Sequence, residues 1–468
     1  MVNRTLALLA AGVLLVAGCT SDAADTTTST SVAPTTTVAV TTTTGATTTT
    51  TVPVAYSLDD HIAWVIGVLN GTETTAAEVE DRFSEVLEQY VAPADFLTVV
   101  DQLRSTVSER WDQTRRQDTG TGAEIILDTN DGEWGMAISV DGAQLIETLL
   151  LQPAPPQIEG PPLSSFDDLV ERLEVYGRTS VYVADVGTGT CEPEFSHNDV
   201  VRPIGSAFKL YVLGALADPI ARGDLEWGDL MMIQDDLKSL PSGTFQTRPE
   251  GSEATILEFA EAMIAVSDNT ATDHLIDLVG RPQVEQMLTE YGNPDASLTI
   301  PFLTTRELFA LKLGVPASVA DAYVTADEAG RRELLAGEIA DTTVTVSDAI
   351  TWDEPYLIDE IEWFATPTSL CRALVGLVER ANVPDLTEFR DILSLNPGVP
   401  FDPGTWSYVA YKGGSEPGVL ALAWYLESVD GEAYVYVVNV TNTDVVLPEA
   451  DIAVLAGSAF DLIGELVP

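Results

Sequence analysis

The chain has 468 residues, 45% of them hydrophobic, and a formal net charge of −51. That length predicts two folded domains with real cores. So large an acidic excess excludes recognition of phosphate backbones, which needs Lys and Arg, and it argues against peripheral attachment to anionic lipid. No nucleic-acid partner is expected.

In chain order, the first segment reads as a targeting signal. Arg4 supplies a short positive region, and residues 6–17 form an apolar run too short to span a bilayer well. The run ends in Val16-Ala17-Gly18-Cys19, which resembles the bacterial lipobox. That resemblance implies a lipoprotein signal peptide over residues 1–18, lipidation of Cys19, and an extracytoplasmic protein anchored to the bacterial cell membrane. The alternative is an ordinary secretory signal that contains a cysteine. Residues 19–54 are dominated by Thr, lack apolar periodicity and cannot bury a core, so they read as a flexible tether. Fully extended, it would reach about 100 Å.

The first folded segment spans residues 55–152. The spacing predicts helices over 58–69, 76–90 and 96–107, with Asn70-Gly71 as a stop signal. Strands are expected over 123–127, 134–140 and 145–151, with turns at Asp131-Gly132 and Asp141-Gly142. Helices followed by a small antiparallel sheet make an α+β module. Its order, and its ending in Leu149-Leu150-Leu151-Gln152-Pro153, resemble the cone-like, steroid-isomerase-like domains of the nuclear transport factor 2 superfamily. No catalytic constellation is visible in it, so a binding or spacer role is expected.

A proline-rich hinge over 153–165 leads into a second domain over 166–468. Here a helix is expected over 165–175 and a strand over 180–186. A mostly helical block follows over 208–383, then strands over 408–411, 420–426 and 434–440, and a closing helix over 452–467. Strands at both ends imply a sheet assembled from distant segments.

Three motifs fall in this domain. Gly205-Ser206 precedes an apolar helical run, and Lys209 lies one turn beyond Ser206 on the same face. A serine at a helix start has backbone N–H groups and a favourable dipole nearby. Serine is a poor nucleophile until a base takes its proton, and lysine is such a base only when burial or a second cation lowers its pKa. Lys412 is a candidate for that cation. Ser267-Asp268-Asn269 offers a second hydroxyl to relay a proton and an amide to hold Lys209 or substrate. Lys412-Gly413-Gly414-Ser415, on a strand, offers an edge for substrate pairing and a backbone N–H at Ser415 to complete an oxyanion site with Ser206. Alone, each motif reads as a solvated helix face, a cap or a hairpin turn. Together they place two of only four lysines in the two lysine positions.

In this order the motifs resemble those of the class A β-lactamase and penicillin-binding protein superfamily. Gly223-Asp224-Leu225, Pro241-Ser242-Gly243 and Ala365-Thr366-Pro367 look like that family's intervening landmarks. The resemblance implies a three-layer α/β/α fold with the site between the helical block and the sheet. It implies Ser206 as acylated nucleophile, Lys209 as base, Ser267 as proton relay, Asn269 as ligand, and Lys412, Gly414 and Ser415 as substrate-binding groups. The implied substrate is a β-lactam or a peptidoglycan-like amide or ester.

Two departures qualify the resemblance. The glutamate that activates the deacylating water in class A enzymes falls by spacing near Pro301-Phe302-Leu303, where no carboxylate stands. Glu307 is the nearest candidate, and otherwise reads as a first-turn helix glutamate. The usual Lys-Thr-Gly or Lys-Ser-Gly is Lys-Gly-Gly, with no arginine on the strand after it. Acylation survives these departures better than deacylation. The alternative to a hydrolase is therefore a penicillin-binding or sensing lipoprotein with slow or no turnover, acting on cell-wall D-alanyl peptides. His61, His197 and His274 show no metal-ligand spacing, so no metal or cofactor is expected. Cys191 and Cys371 are open to two readings, a disulfide or two buried thiols.

Overall fold

The structure, a computed structural model, describes residues 56–84, 87–88, 91–108, 110–130, 132–154, 161–240, 242–345 and 352–467. The signal peptide, the Thr-rich tether, Cys19, Asp131, Pro241 and the central residues of the hinge lie outside the described residues. The chain divides into two units, Met1–Pro155 and Pro156–Pro468. Among the described residues no helix is long and apolar enough to cross a membrane.

In the first unit, helices α1 (Leu58–Leu69), α2 (Ala76–Glu80) and α3 (Pro93–Thr106) precede strands β1 (Trp111–Thr119), β2 (Gly122–Thr129), β3 (Gly132–Val140) and β4 (Ile146–Pro153). The strands form one antiparallel sheet in sequence order. Ser57 caps α1 in a reciprocal box with Asp60. Val65, Leu69, Phe96, Trp111, Leu127 and Ile138 close the core between helices and sheet.

Two expectations fail here for physical reasons. The helix expected over 76–90 is interrupted: α2 ends at Glu80, because Phe83 bridges to Ile146 and Ser84 N donates to Ile146 O at 2.9 Å, and residues 87–88 are helical again. Phe83 still reaches the core, with its ring 5.2 Å from that of Phe96. Strand β1 went unseen because its outer half is charged and exposed. Such a polar edge blunts pairing with other chains.

In the second unit, α4 (Phe166–Glu174) leads into β5 (Arg178–Asp185), β6 (Glu192–His197) and the short β7 (Arg202–Pro203). The helical block contains α5 (Lys209–Ala221), the ribbon β8 (Leu230–Met232) with β9 (Glu253–Thr255), α6 (Ile256–Ala265), α7 (Asn269–Val279), α8 (Arg281–Glu290), α9 (Thr305–Phe309), α10 (Ala317–Thr325) and α11 (Glu328–Leu334). Then come β10 (Phe364–Ala365), α12 (Pro367–Arg380), α13 (Glu388–Ser394), β11 (Trp406–Glu416), β12 (Val419–Ser428), β13 (Ala433–Thr441), α14 (Glu449–Gly457) and α15 (Ala459–Gly464).

The main sheet has the order β11-β12-β13-β5-β6 and is antiparallel throughout. Alternation along its strands builds two cores. Val181, Val183, Leu422, Trp424, Tyr436 and Val438 face α4, α14 and α15. Tyr182, Ala184, Ala421, Ala423, Val435 and Val437 face the helical block. The arrangement is three layers: helices, sheet, helices. Helix α5 is buried on nearly every side, which matches its continuous apolar run. The closing helix expected over 452–467 is instead two helices, α14 and α15, parted at Ser458. Cys191 and Cys371 are joined in a disulfide, tying the start of β6 to α12.

Candidate active site

Ser206 sits in a tight turn, Gly205–Phe208, that runs into α5. Gly205 has φ +48°, and a Cβ there would stand 2.7 Å from Ser415 N and 2.9 Å from Gly414 C. A methyl group on Gly414 would overlap Ser206 N, Ile204 O and Ala207 N. The two glycines let the backbone of edge strand β11 rest on the nucleophile's turn. That contact brings the Ser206 and Ser415 backbone amides together.

Lys209, in the first turn of α5, is fully buried. Its Nζ lies 3.2 Å from Ser206 Oγ, 2.9 Å from Ser267 Oγ, 2.6 Å from Ser267 O and 2.7 Å from Asn269 Oδ1. Burial drives its pKa well below the ordinary lysine value, and the Lys412 charge lowers it further; Asp273 and Asp268 oppose this more weakly. An amine in that state can accept the Ser206 proton.

Ser267 adopts φ +58°, a conformation that a residue with a side chain holds only under constraint. The constraint is visible. Ser267 O accepts from Lys209 Nζ and, at 2.6 Å, from Ser242 Oγ. Next to it, buried Asp268 caps α7 by accepting from Ala271 N at 2.8 Å. Its other oxygen accepts from Thr244 N and Phe245 N. Asn269 Nδ2 donates to Leu240 O at 3.0 Å. Leu240, residues 242–245 and the start of α7 are thus joined by one set of hydrogen bonds.

Lys412 enters from β11. Its Nζ donates to Ser267 Oγ at 3.0 Å and to Gly413 O at 2.7 Å, and burial pulls its pKa down to about 7. Ser267 Oγ therefore lies between two amines. The structure brings Ser206, Lys209, Ser267, Asn269, Lys412, Gly414 and Ser415 into one cluster. Lys-Gly-Gly is an interior strand segment rather than a hairpin turn.

Glu307 is not among the partners of that cluster. It occupies the third position of α9, where Thr304 caps it reciprocally, and Arg281 binds both its oxygens at 2.7 and 3.0 Å. The segment where spacing expects a carboxylate is core. Phe302 is fully buried and packs edge-on to Phe208, with ring centroids 5.6 Å apart. None of the histidines bonds to Ser206. His61 Nε2 meets Gln144 O, His197 meets Glu174, and His274 Nε2 accepts from Gln234 N.

Sequence reasoning missed Ser242 as a brace for Ser267, although it stood in a noted landmark. It also missed Glu362, whose Oε2 accepts from Gly205 N at 3.1 Å. No local pattern marks that residue.

Residues 165–346 match the sequence model of the beta-lactamase enzyme family. The matched stretch contains Ser206, Lys209, Ser267, Asn269 and Glu307, and ends before Lys412. Similar solved structures include the beta-lactamase from Sphaerobacter thermophilus DSM 20745, at 21% identity, 65% of this chain, 98% of that chain and TM-score 0.46. PBP-A is 18% identical over 65% of this chain and 99% of its own, with TM-score 0.42. A beta-lactamase from Chitinophaga pinensis DSM 2588 is 17% identical over 64% and 97%, with TM-score 0.44. No curated protein matches the chain.

Proposed function

We propose that the second unit is an active-site serine hydrolase of the β-lactamase and penicillin-binding kind, acylated on Ser206 by a β-lactam or a related amide or ester. The observation that carries this reading is the buried Lys209 amine 3.2 Å from Ser206 Oγ, held by Ser267 and Asn269. The family match over residues 165–346 supports it.

In this mechanism the neutral Lys209 amine takes the Ser206 proton as Oγ attacks the carbonyl carbon. The developing oxyanion is received by the Ser206 and Ser415 backbone N–H groups. When the intermediate collapses, the C–N bond breaks and Ser267 Oγ gives its proton to the leaving nitrogen. Lys209 returns the proton it took to Ser267. Lys412, when protonated, pairs with a substrate carboxylate, and Asn269 offers its amide to the substrate.

A second reading rests on a specific observation. Among the described residues, no carboxylate hydrogen-bonds to Lys209 Nζ, Ser267 Oγ or Lys412 Nζ. Among the described residues, Lys209 is the base at hand beside Ser206 to activate a deacylating water, which favours a long-lived acyl-enzyme and a penicillin-binding or sensing role on D-alanyl peptides. Labelling with a fluorescent penicillin, followed by a chase with unlabelled drug, separates the two. Label that decays supports hydrolysis, and label that persists supports binding. Equal signal on wild type and Ser206→Ala would overturn both.

The proposal extends to location and to the first unit. The disulfide supports an oxidising, extracytoplasmic setting, with Cys19 carrying a lipid anchor. Membrane association that survives Cys19→Ala would refute the anchor. The first unit, helices followed by a four-stranded antiparallel sheet, supports a steroid-isomerase-like spacer or binding module rather than a second catalytic domain.

A further inference from the structure

Behind Gly205 lies a buried group of charges that the acylation chemistry does not use. Glu362 comes from the segment before β10, Glu416 from the end of β11, and Lys312 from the turn after α9. Glu362 is 3% exposed, Glu416 8% and Lys312 6%. Lys312 Nζ binds both oxygens of Glu416, at 2.5 and 2.7 Å. The Trp352 ring lies 5.5 Å from that amine. Glu362 Oε2 accepts the Gly205 N–H.

The chain positions are informative. Gly205 immediately precedes Ser206, and Glu416 immediately follows Ser415. These neighbours supply the two backbone donors assigned to the oxyanion. We propose that Glu362, Glu416 and Lys312 form a proton-sharing clasp that positions both walls of the oxyanion site, Glu362 through Gly205 and Glu416 through its own strand. The role in catalysis rests on the acyl-serine reading above. The clasp itself does not.

Charge counting explains why a proton is shared. Among the described residues, two buried carboxylates and one buried ammonium leave one negative charge without a counter-ion, a costly arrangement in a dry interior. Holding one proton removes it. Glu416 is already matched by Lys312, so Glu362 is the site that keeps the proton. Burial raises the Glu362 pKa well above the ordinary carboxyl value, and Glu416 raises it further; Lys312 and the backbone bonds from Gly205 and Trp363 lower it. Glu416 and Lys312 are the charged groups that face it. A carboxyl whose pKa is raised in the folded state holds its proton to higher pH than a free one and loses it as pH rises through the folded pKa. Ionisation would then place a second negative charge against Glu416, and the repulsion between the two carboxylates would loosen the clasp, although the Gly205 N–H bond itself favours the carboxylate. Glu362 is thus a positioning residue, and its signature is an alkaline limb in the acylation rate.

The test uses the whole chain, with E362Q and E362A. E362Q keeps an acceptor for Gly205 N and has no proton to lose. Without substrate, infrared difference spectra should show a protonated-carboxyl band at neutral pH in wild type that is absent in E362Q. Backbone amide exchange in the 205–206 segment should be faster in E362A than in wild type and slowed again in E362Q. With fluorescent penicillin, E362A should acylate at least tenfold more slowly. E362Q should recover to within a few-fold of wild type and lack the alkaline limb. Where E362A fails to fold, the wild-type and E362Q pH profiles decide alone. No carboxyl band, or identical pH profiles for wild type and E362Q, would overturn the clasp. No label on wild type, with the band and exchange protection present, would sink the acyl-serine reading and uphold the clasp.

Discussion

Replacing Lys209 by alanine should abolish acylation while leaving the fold largely intact. Among the described residues, the amine is the only basic group that hydrogen-bonds to Ser206 Oγ, at 3.2 Å. A positioned general base contributes about 10²–10⁴-fold, which at 1.36 kcal/mol per tenfold is about 3–5 kcal/mol of barrier. The stability change has two opposing parts. Alanine leaves the buried Asn269 Oδ1 without its donor, at about 1–3 kcal/mol, whereas Ser267 O keeps the Ser242 hydroxyl. It also removes an amine whose charged form the site disfavours by burial, which offsets part of that loss. Glu307→Ala should do the reverse. It removes the bidentate partner of Arg281 and half of a capping box, so stability falls by about 1–3 kcal/mol while acylation stays within a few-fold. Stopped-flow acylation by a fluorescent penicillin, with urea unfolding alongside, measures both quantities. Lys209→Ala acylating within tenfold of wild type, or Glu307→Ala losing as much as Lys209→Ala, would refute this reasoning.

Three further outcomes are expected. Gly414→Ala should lose at least 10²-fold in acylation, because the methyl would overlap Ser206 N and displace one oxyanion donor; unchanged labelling would contradict the close approach of β11 to the turn. Lys412 falls from 10.5 to about 7 on burial, so between those pH values the unfolded chain holds the extra proton. Stability should therefore rise with pH from about 7, by up to about 1.4 kcal/mol per unit from this group, and urea midpoints at pH 7 and 9 should show a wild-type gain that Lys412→Met lacks. Breaking the Cys191–Cys371 bond, which closes a sequence separation of 180, should cost about 2–5 kcal/mol, read as a lower denaturation midpoint for Cys371→Ser; an unchanged midpoint would contradict a stabilising role for the bond.

The cluster of Ser206, Lys209, Ser267, Asn269 and Lys412 was legible because each part is a short local pattern whose spacing the helix or turn preserves. The central strands and α5 were legible through alternation and a continuous apolar run. Strands β1 and β6 were not, since edge strands with polar outer residues carry no apolar period. The break in the helix expected over 76–90 left no signal, because Val79 and Phe83 reach the same core from a helix and from a bridge alike. Glu307 attracted attention as the nearest carboxylate in sequence, yet proximity along the chain says nothing about Arg281. Glu362, Glu416 and Lys312 could not be found at all, because three residues so far apart meet only once the sheet and the helical block have closed.

The most direct measurement is peptide mapping by mass spectrometry after incubation with benzylpenicillin. The account predicts one adduct with the mass of the intact drug, confined to the peptide that contains Ser206 and missing from Ser206→Ala. An adduct on another residue, or an unmodified Ser206 peptide after prolonged exposure, would contradict it.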